Sequence, residues 1–132
     1  MTLAAKSAIK NNKSFEESYR EFGRKYQNVG YGEMFDTWIF HDDEKAYNSF
    51  ENDSAMRCSY IGEYFNSEKE VKEWAIKSAE CTHNHPEGIK GAVVTAMCIY
   101  MTRTGASKNE ILQYAVSQLS LIHISEPTRL RR

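Results

Sequence analysis

Apolar residues recur at helical spacing along most of the chain, whereas strand-like alternation is nearly absent. The clearest stripe lies on one helical face, at positions i, i+4, i+7 and i+11. Its members are aromatic: Phe15, Tyr19, Phe22 and Tyr26. Further stripes of this kind, together with only two prolines and seven glycines, predict an all-α fold of about six helices.

Three helix starts carry the capping-box pattern, in which a serine is followed three residues later by a glutamate. The boxes begin at Ser14, Ser67 and Ser107. Pro86 suits the first turn of another helix, because its ring fixes a helical φ and the missing N–H would have no partner there. A short apolar stretch at 34–40 follows a turn with the sequence VGYG.

Two loops interrupt the helical pattern, with the sequences YNSFENDSAMR at 47–57 and THNHPEG at 82–88. Each leads into a helix start, where backbone N–H groups lack intrahelical partners and favour anions or polar ligands. We therefore expect a ligand cleft between these two loops.

The composition describes one domain that is long enough to bury a core, with 132 residues of which 41% are hydrophobic. A formal net charge of -1 argues against a nucleic-acid partner and against binding to a membrane surface through bulk charge. No apolar run approaches the roughly 20 residues that cross a bilayer, and no signal peptide is expected from the polar start of the chain. The odd, widely spaced cysteines suit reduced thiols, so a cytoplasmic location is expected.

Zinc is one interpretation of the closely spaced His83 and His85, with His41 or a cysteine as a further ligand. Structural zinc sites usually combine two ligand pairs with short spacings, and no second pair is present in the sequence. The competing interpretation is that these histidines cap or brace a helix start.

Other catalytic chemistries receive little support from the residues. Cys81 stands two residues before His83, but at a helix C-terminus, where the helix dipole disfavours a thiolate. The acidic run HDDE at 41–44 offers cation ligands, yet a short acidic run is more often a solvated loop. No phosphate loop, dinucleotide fingerprint or nucleophile elbow is present.

Three segments in order resemble the ADP-ribosylglycohydrolase family: YGEMFDTWIF, YNSFENDSAMRCSYIG and SAECTHNHPEGIKGAVVTAMCIYMTRTG. The similarity runs from about Met1 to about Gln118. It implies a compact, orthogonally packed all-helical fold and a hydrolase that cleaves the glycosidic bond between ADP-ribose and a modified acceptor. It also implies a binuclear magnesium site, whose metals orient ribose hydroxyls and activate water.

The resemblance carries over to substrate-binding positions in three segments. They are Tyr31 and Gly32 in the YG turn, Asn52, Ser54, Ala55, Met56 and Arg57 in the first loop, and His83 and Gly88 in the second loop. For Arg57, bridging between helices is the alternative to ligand contact. For His83, the alternative is a structural hydrogen bond.

The family's metal ligands come from a Thr-Asp-Asp-Thr motif near the start and an Asp-x-Asp-Thr-like motif near the end, and neither is in this chain. No residue here is therefore assigned as a metal ligand or as catalytic. We expect a central fragment of such an enzyme, a partial domain that is inactive alone. The alternative is a noncatalytic helical module that binds ADP-ribose or a related nucleotide.

One departure from the family pattern falls in the first loop. The family usually has glycine on both sides of the asparagine, whereas this chain has Glu51 and Asp53. Glycine permits positive φ and close backbone approach, and carboxylates that point inward would repel a diphosphate. Weaker ADP-ribose binding is expected.

The end of the chain has a different character. Residues 119–132 are basic and carry no cap, so we expect the domain to cover 1–118 and the remainder to be a non-native or disordered tail. Apolar faces that would pack against missing helices would be exposed, and self-association through them is expected.

Overall fold

The structure is a computed structural model that describes residues 1–42, 45–47, 53–83 and 85–125. Within these ranges it contains eight helices and no strand, which confirms the predicted all-α fold. The helices are α1 (Thr2–Lys10), α2 (Phe15–Lys25), α3 (Glu33–Ile39), α4 (Asp53–Met56), α5 (Ser59–Tyr64), α6 (Glu68–Glu80), α7 (Pro86–Arg103) and α8 (Lys108–Ser125).

The predicted helix starts are confirmed by their hydrogen bonds. Ser14 Oγ accepts from the Glu17 N–H at 3.1 Å and Ser67 Oγ accepts from the Glu70 N–H at 3.2 Å. At Ser107 both halves of the box form, because its N–H also donates to Glu110 Oε1 at 3.2 Å. Pro86 occupies the first turn of α7. These local signals fix where the helices begin.

Helix α7 is the centre of the fold and packs against α4, α5, α6 and α8. Its inner face carries the small, fully buried side chains of Ala92 and Ala96. Gly62 on α5 approaches this face so closely that a Cβ on it would stand 2.5 Å from the carbonyl oxygen of Ala96. Small residues on both helices therefore set the close packing that brings α4 and α5 onto α7.

Arg20 on α2 fixes the position of α3. Its guanidinium donates to the carbonyl oxygens of Trp38 and His41, at the end of α3. It also lies 3.9 Å from the centroid of the Trp38 ring and pairs with Glu16 at 3.1 Å. These contacts hold α3 against α2, and α3 in turn forms one wall of the candidate site.

Helix α8 passes the predicted domain boundary at Gln118 and continues to Ser125. The boundary and the non-native origin of the residues after it stay predictions. Among its described side chains, Leu112 and Val116 are 57% and 56% exposed. Self-association through such apolar positions also stays a prediction.

Membrane insertion has no candidate segment in the part of the chain that the structure describes. No helix there combines the length and the apolar character needed to span a bilayer.

Candidate functional site

A cavity of about 230 Å³ lies where the 30–32 turn and α3 face the start of α1 and the end of α4. It is lined by Met1, Thr2, Gly30, Tyr31, Gly32, Phe35, Met56 and Arg57. The YG turn and the first loop are far apart in sequence, yet the structure brings four of their predicted site residues to this cavity. These are Tyr31, Gly32, Met56 and Arg57.

The turn before α3 places Tyr31 at the cavity. Gly30 has φ of 90°, a left-handed conformation that glycine adopts without a steric penalty. Gly32 is the N-cap residue of α3. The Tyr31 ring meets the Phe35 ring edge-on, with centroids 5.5 Å apart. Burial, and then the negative charge of Asp36, raise the pKa of Tyr31, so this residue presents a neutral phenol at the cavity.

Arg57 stands immediately after α4 and is only 2% exposed. Its Nη2 donates to the Ser78 carbonyl oxygen at 3.1 Å and to Thr82 Oγ1 at 2.5 Å, so the side chain joins α4 to the C-terminal end of α6. The guanidinium also lies 4.3 Å from the Tyr19 ring centroid. The structure therefore shows Arg57 bridging two helices. A contact between Arg57 and a ligand stays a prediction.

His83 lies behind Arg57 and does not line the cavity. It is fully buried, and its Nδ1 is 2.7 Å from Thr82 Oγ1. Thr82 Oγ1 already accepts a hydrogen from Arg57, and its other acceptor, the Ala79 carbonyl oxygen, is more distant at 3.4 Å. In the tautomer that carries its proton on Nε2, Nδ1 of His83 accepts the hydrogen of the Thr82 hydroxyl. A structural hydrogen bond is thus present at His83, and a ligand contact there stays a prediction.

Ser54 and Gly88 connect the two predicted loops rather than line the cavity. Ser54 is fully buried, and its Oγ donates to the Gly88 carbonyl oxygen at 2.8 Å. Ala55, which is partly buried, accepts a hydrogen bond from Cys58 Sγ at 3.2 Å. Asn52 and Glu51 lie outside the described residues, so their predicted roles are not placed in the structure.

The described residues do not fit a bound metal. No group of three or more His, Cys, Asp or Glu side chains in the described ranges is placed to hold one. Nδ1 of His83 meets Thr82, whereas Nδ1 of His85 accepts from the Glu87 N–H at 3.2 Å and caps α7. His85 therefore has the helix-capping role that was the alternative to zinc.

The three cysteines are free thiols, without a disulfide. Burial raises the pKa of Cys58 to about 11 and that of Cys81 to about 11, and it also raises the pKa of Cys98. Thiols with such values stay protonated at neutral pH, and the thiolate is the nucleophilic form. The environment of these residues therefore works against cysteine catalysis.

Sequence reasoning missed two residues that shape the site. Phe35 forms part of the cavity wall, but an apolar residue on a short helix usually signals core packing alone. Thr82 joins Arg57 to His83, although it stands in a loop where threonine is commonly solvated. The only available signal for Thr82 was its place in the segment THNHPEG, directly before His83.

The family model described as ADP-ribosylglycohydrolase matches residues 1–131. No curated protein and no solved structure matches the chain.

Proposed function

The chain belongs to the ADP-ribosylglycohydrolase family, and we propose that the cavity beside Arg57 is part of a pocket that receives ADP-ribose. The reaction of the pocket in a complete active site is hydrolysis of the glycosidic bond between ADP-ribose and a modified acceptor. The observation that carries this proposal is the meeting of Tyr31 and Gly32 with Met56 and Arg57 around one cavity.

The chemistry of the cavity supports a ligand with both apolar and charged parts. Tyr31 and Phe35 supply aromatic surface, and Arg57 supplies a permanent positive charge. The volume of about 230 Å³ is below the range of about 300–1,000 Å³ that is usual for small-molecule pockets. The cavity formed by the described residues therefore accommodates one portion of ADP-ribose and not the whole molecule.

The family resemblance implies magnesium, but the described residues contain no group of three or more His, Cys, Asp or Glu side chains that could hold a metal ion. We therefore propose that this chain alone binds ADP-ribose without hydrolysing its conjugates. We propose that hydrolysis in a complete active site uses magnesium, as the family resemblance implies.

Binding is tested by titrating ADP-ribose into the purified chain in a calorimeter. Tyr31→Ala removes an aromatic wall and is expected to weaken binding clearly. Tyr26→Ala is the control, because Tyr26 is a tyrosine that is 49% exposed and does not line the cavity. The pocket assignment is wrong if the wild-type chain shows no heat of binding, or if both variants bind as the wild type does.

Hydrolysis is tested by incubating the chain with an ADP-ribosylated arginine peptide and magnesium. We expect no release of ADP-ribose above the rate in buffer. Rapid release would refute the proposed inactivity while leaving the pocket assignment intact.

A noncatalytic binding module is the second candidate function. It is favoured by the absence of a metal-ligand group among the described residues. ADP-ribose binding that is equally tight with magnesium and with a chelator supports the module. Binding that requires magnesium supports the hydrolase pocket instead.

A further inference from the structure

Arg20 lies on α2, outside the cavity, at one end of a line of stacked groups that reaches Tyr31. Its guanidinium carbon is 3.9 Å from the centroid of the Trp38 ring. The Trp38 ring stacks on the Phe35 ring, with centroids 5.7 Å apart and planes inclined by 19°. The Phe35 ring in turn meets the Tyr31 ring edge-on at 5.5 Å. Each group therefore contacts the next, from α2 to the cavity wall.

The members of this line behind Tyr31 are buried, so they have little room to move separately. Arg20, Phe35 and Trp38 are 6%, 4% and 1% exposed. Protein interiors are close-packed and transmit a displacement from one side chain to its neighbours. The cation–π contact and the aromatic contacts each stabilise one arrangement of the two groups involved. A shift of the Trp38 ring would therefore move Phe35 and, through it, Tyr31.

Hydrogen bonds from α2 fix the C-terminal end of α3. Arg20 Nη1 donates to the carbonyl oxygens of Trp38 and His41. One turn further along α2, Arg24 Nε donates to the Ile39 carbonyl oxygen at 2.9 Å. The last carbonyls of a helix lack intrahelical partners and carry partial negative charge. Two cations of α2 thus satisfy the exposed end of the α3 backbone.

Close packing adds to this attachment, whereas the other end of α3 has no comparable anchor. A Cβ on Gly23 would stand 2.5 Å from Cδ1 of Ile39, so α2 and α3 are in tight contact. At the start of α3 the N-cap residue is Gly32, and no side chain there accepts a hydrogen bond from the helix. The position of α3 therefore depends on its contacts with α2.

We infer that Arg20, Arg24 and Trp38 are positioning residues of the ligand pocket. They hold α3 and, through Phe35, set the place of the Tyr31 ring at the cavity wall. None of the three lines the cavity. This inference rests on the proposed function, in which Tyr31 meets the ligand, and extends it to residues that the ligand does not touch.

The test compares Arg20→Lys with Arg103→Lys by calorimetric titration of ADP-ribose into the full chain. Lysine keeps the positive charge but lacks the planar fork of arginine. Arg103 is the matched control, because it also donates to carbonyl oxygens near a helix end, those of Gly62 and Phe65. It likewise lies over an aromatic ring, 5.5 Å from the Tyr100 centroid, and does not line the cavity.

Arg20→Lys is expected to weaken ADP-ribose binding by about threefold to thirtyfold, the range found for substitutions along a contact network. Arg103→Lys should change the affinity by less than about twofold, since its contacts are independent of the cavity wall. Urea denaturation of both variants shows how much stability each loses. A loss of stability in Arg20→Lys with the affinity of the control would reveal a purely structural role and would overturn the inference.

A second comparison, without ligand, covers the case in which Arg20→Lys does not fold. Arg24→Met is milder, because the Arg24 side chain is 40% exposed. NMR signals of the Tyr31 ring and of the Gly32 amide are compared with those of the wild type and of Arg103→Met. We expect both signals to shift in Arg24→Met and to stay in place in Arg103→Met. Unmoved signals in a folded Arg24→Met chain would overturn the inference.

These measurements separate failure of the inference from failure of the proposed function. A wild-type chain that does not bind ADP-ribose loses the proposed function, while the NMR comparison still decides whether α2 positions Tyr31. A wild-type chain that binds ADP-ribose keeps the proposed function, and equal affinities of Arg20→Lys and Arg103→Lys then overturn the inference alone.

Discussion

Ser54 Oγ donates a hydrogen bond of 2.8 Å to the carbonyl oxygen of Gly88, and both residues are buried. This contact ties the end of the first loop to the first turn of α7. It thereby holds α4, and Arg57 directly after it, in place relative to the second loop.

Ser54→Ala is expected to destabilise the fold by about 0.5–1.5 kcal/mol, because it removes the buried hydrogen bond from the Ser54 hydroxyl to the Gly88 carbonyl oxygen. The free energy of unfolding is measured by urea denaturation. Ser117→Ala is the control, since the Ser117 hydroxyl bonds to the Tyr114 carbonyl on an exposed face of α8. The role assigned to Ser54 would be disproved by equal stabilities of the two variants.

Substitution of Thr82 is expected to lower the stability of the fold more than substitution of a solvated loop threonine would. Thr82→Val keeps the shape of the side chain but removes the hydroxyl that accepts from Arg57 and donates to His83. The loss of two buried hydrogen bonds predicts destabilisation by about 2–4 kcal/mol.

Thr82→Ser restores the hydroxyl and should recover most of this loss. Thr102→Val serves as the control, because its hydroxyl bonds only to the Cys98 carbonyl on an exposed part of α7. Thermal melting of the variants gives the ranking. A Thr82→Ser variant as unstable as Thr82→Val would contradict the hydrogen-bonding role.

The helix starts were predictable from the sequence because they depend on local chemistry. A serine cap and its glutamate lie within one turn, so Ser67 and Ser107 determine their own hydrogen bonds with little help from the rest of the fold. The same holds for Pro86 at the start of α7.

Helix α3 was recognised only as an apolar stretch, because its seven residues are too few to show a period. The helical segment that follows the first loop is divided at Arg57 and Cys58, which turn the chain between α4 and α5.

The site was less accessible to sequence reasoning, since its contacts join residues that are distant in the chain. Spacing alone indicated a cleft between the two loops, and the family resemblance named residues within it. The structure contains a cavity between the YG turn and the end of the first loop, with Tyr31 and Arg57 on its wall, and the cleft between the two loops stays a prediction. His83 faces Thr82 and not the cavity. Only tertiary packing decides which side of a loop residue meets a ligand and which side meets a neighbouring helix.

The two glycines Gly62 and Gly91 are expected to respond oppositely to alanine. At Gly62 the added Cβ would lie 2.5 Å from the Ala96 carbonyl oxygen and 2.7 Å from the Cβ of Ile99, so α5 and α7 must separate. Overpacking of this kind costs about 1–3 kcal/mol. At Gly91 no atom lies within 4 Å of the added Cβ, and alanine within a helix gains about 0.5–1 kcal/mol over glycine. Urea denaturation measures both changes. A Gly62→Ala variant as stable as the wild type would contradict the close approach of α5 to α7.

The buried thiols predict a loss of stability in alkaline solution. The pKa of Cys58 and of Cys81 rises from an ordinary value of 9.0 to about 11 on folding. Folding therefore favours the protonated thiols. Their contribution is fully present below pH 9 and is lost as the pH rises through the window from about 9 to 11.

The free energy of unfolding is measured by urea denaturation in a reducing buffer. The contribution of these thiols to it should be nearly constant between about pH 7 and 8 and should fall above about pH 9. Tyr19, whose pKa burial also raises, contributes to the same decline. Cys81→Ala should make the decline shallower, because one raised thiol no longer titrates. The matched control is Cys98→Ala. Because Cys98 is less buried than Cys81, this variant should change the slope of the unfolding free energy against pH by a smaller amount. A Cys81→Ala variant with the slope of the wild type would show that burial of this thiol does not couple its ionisation to folding.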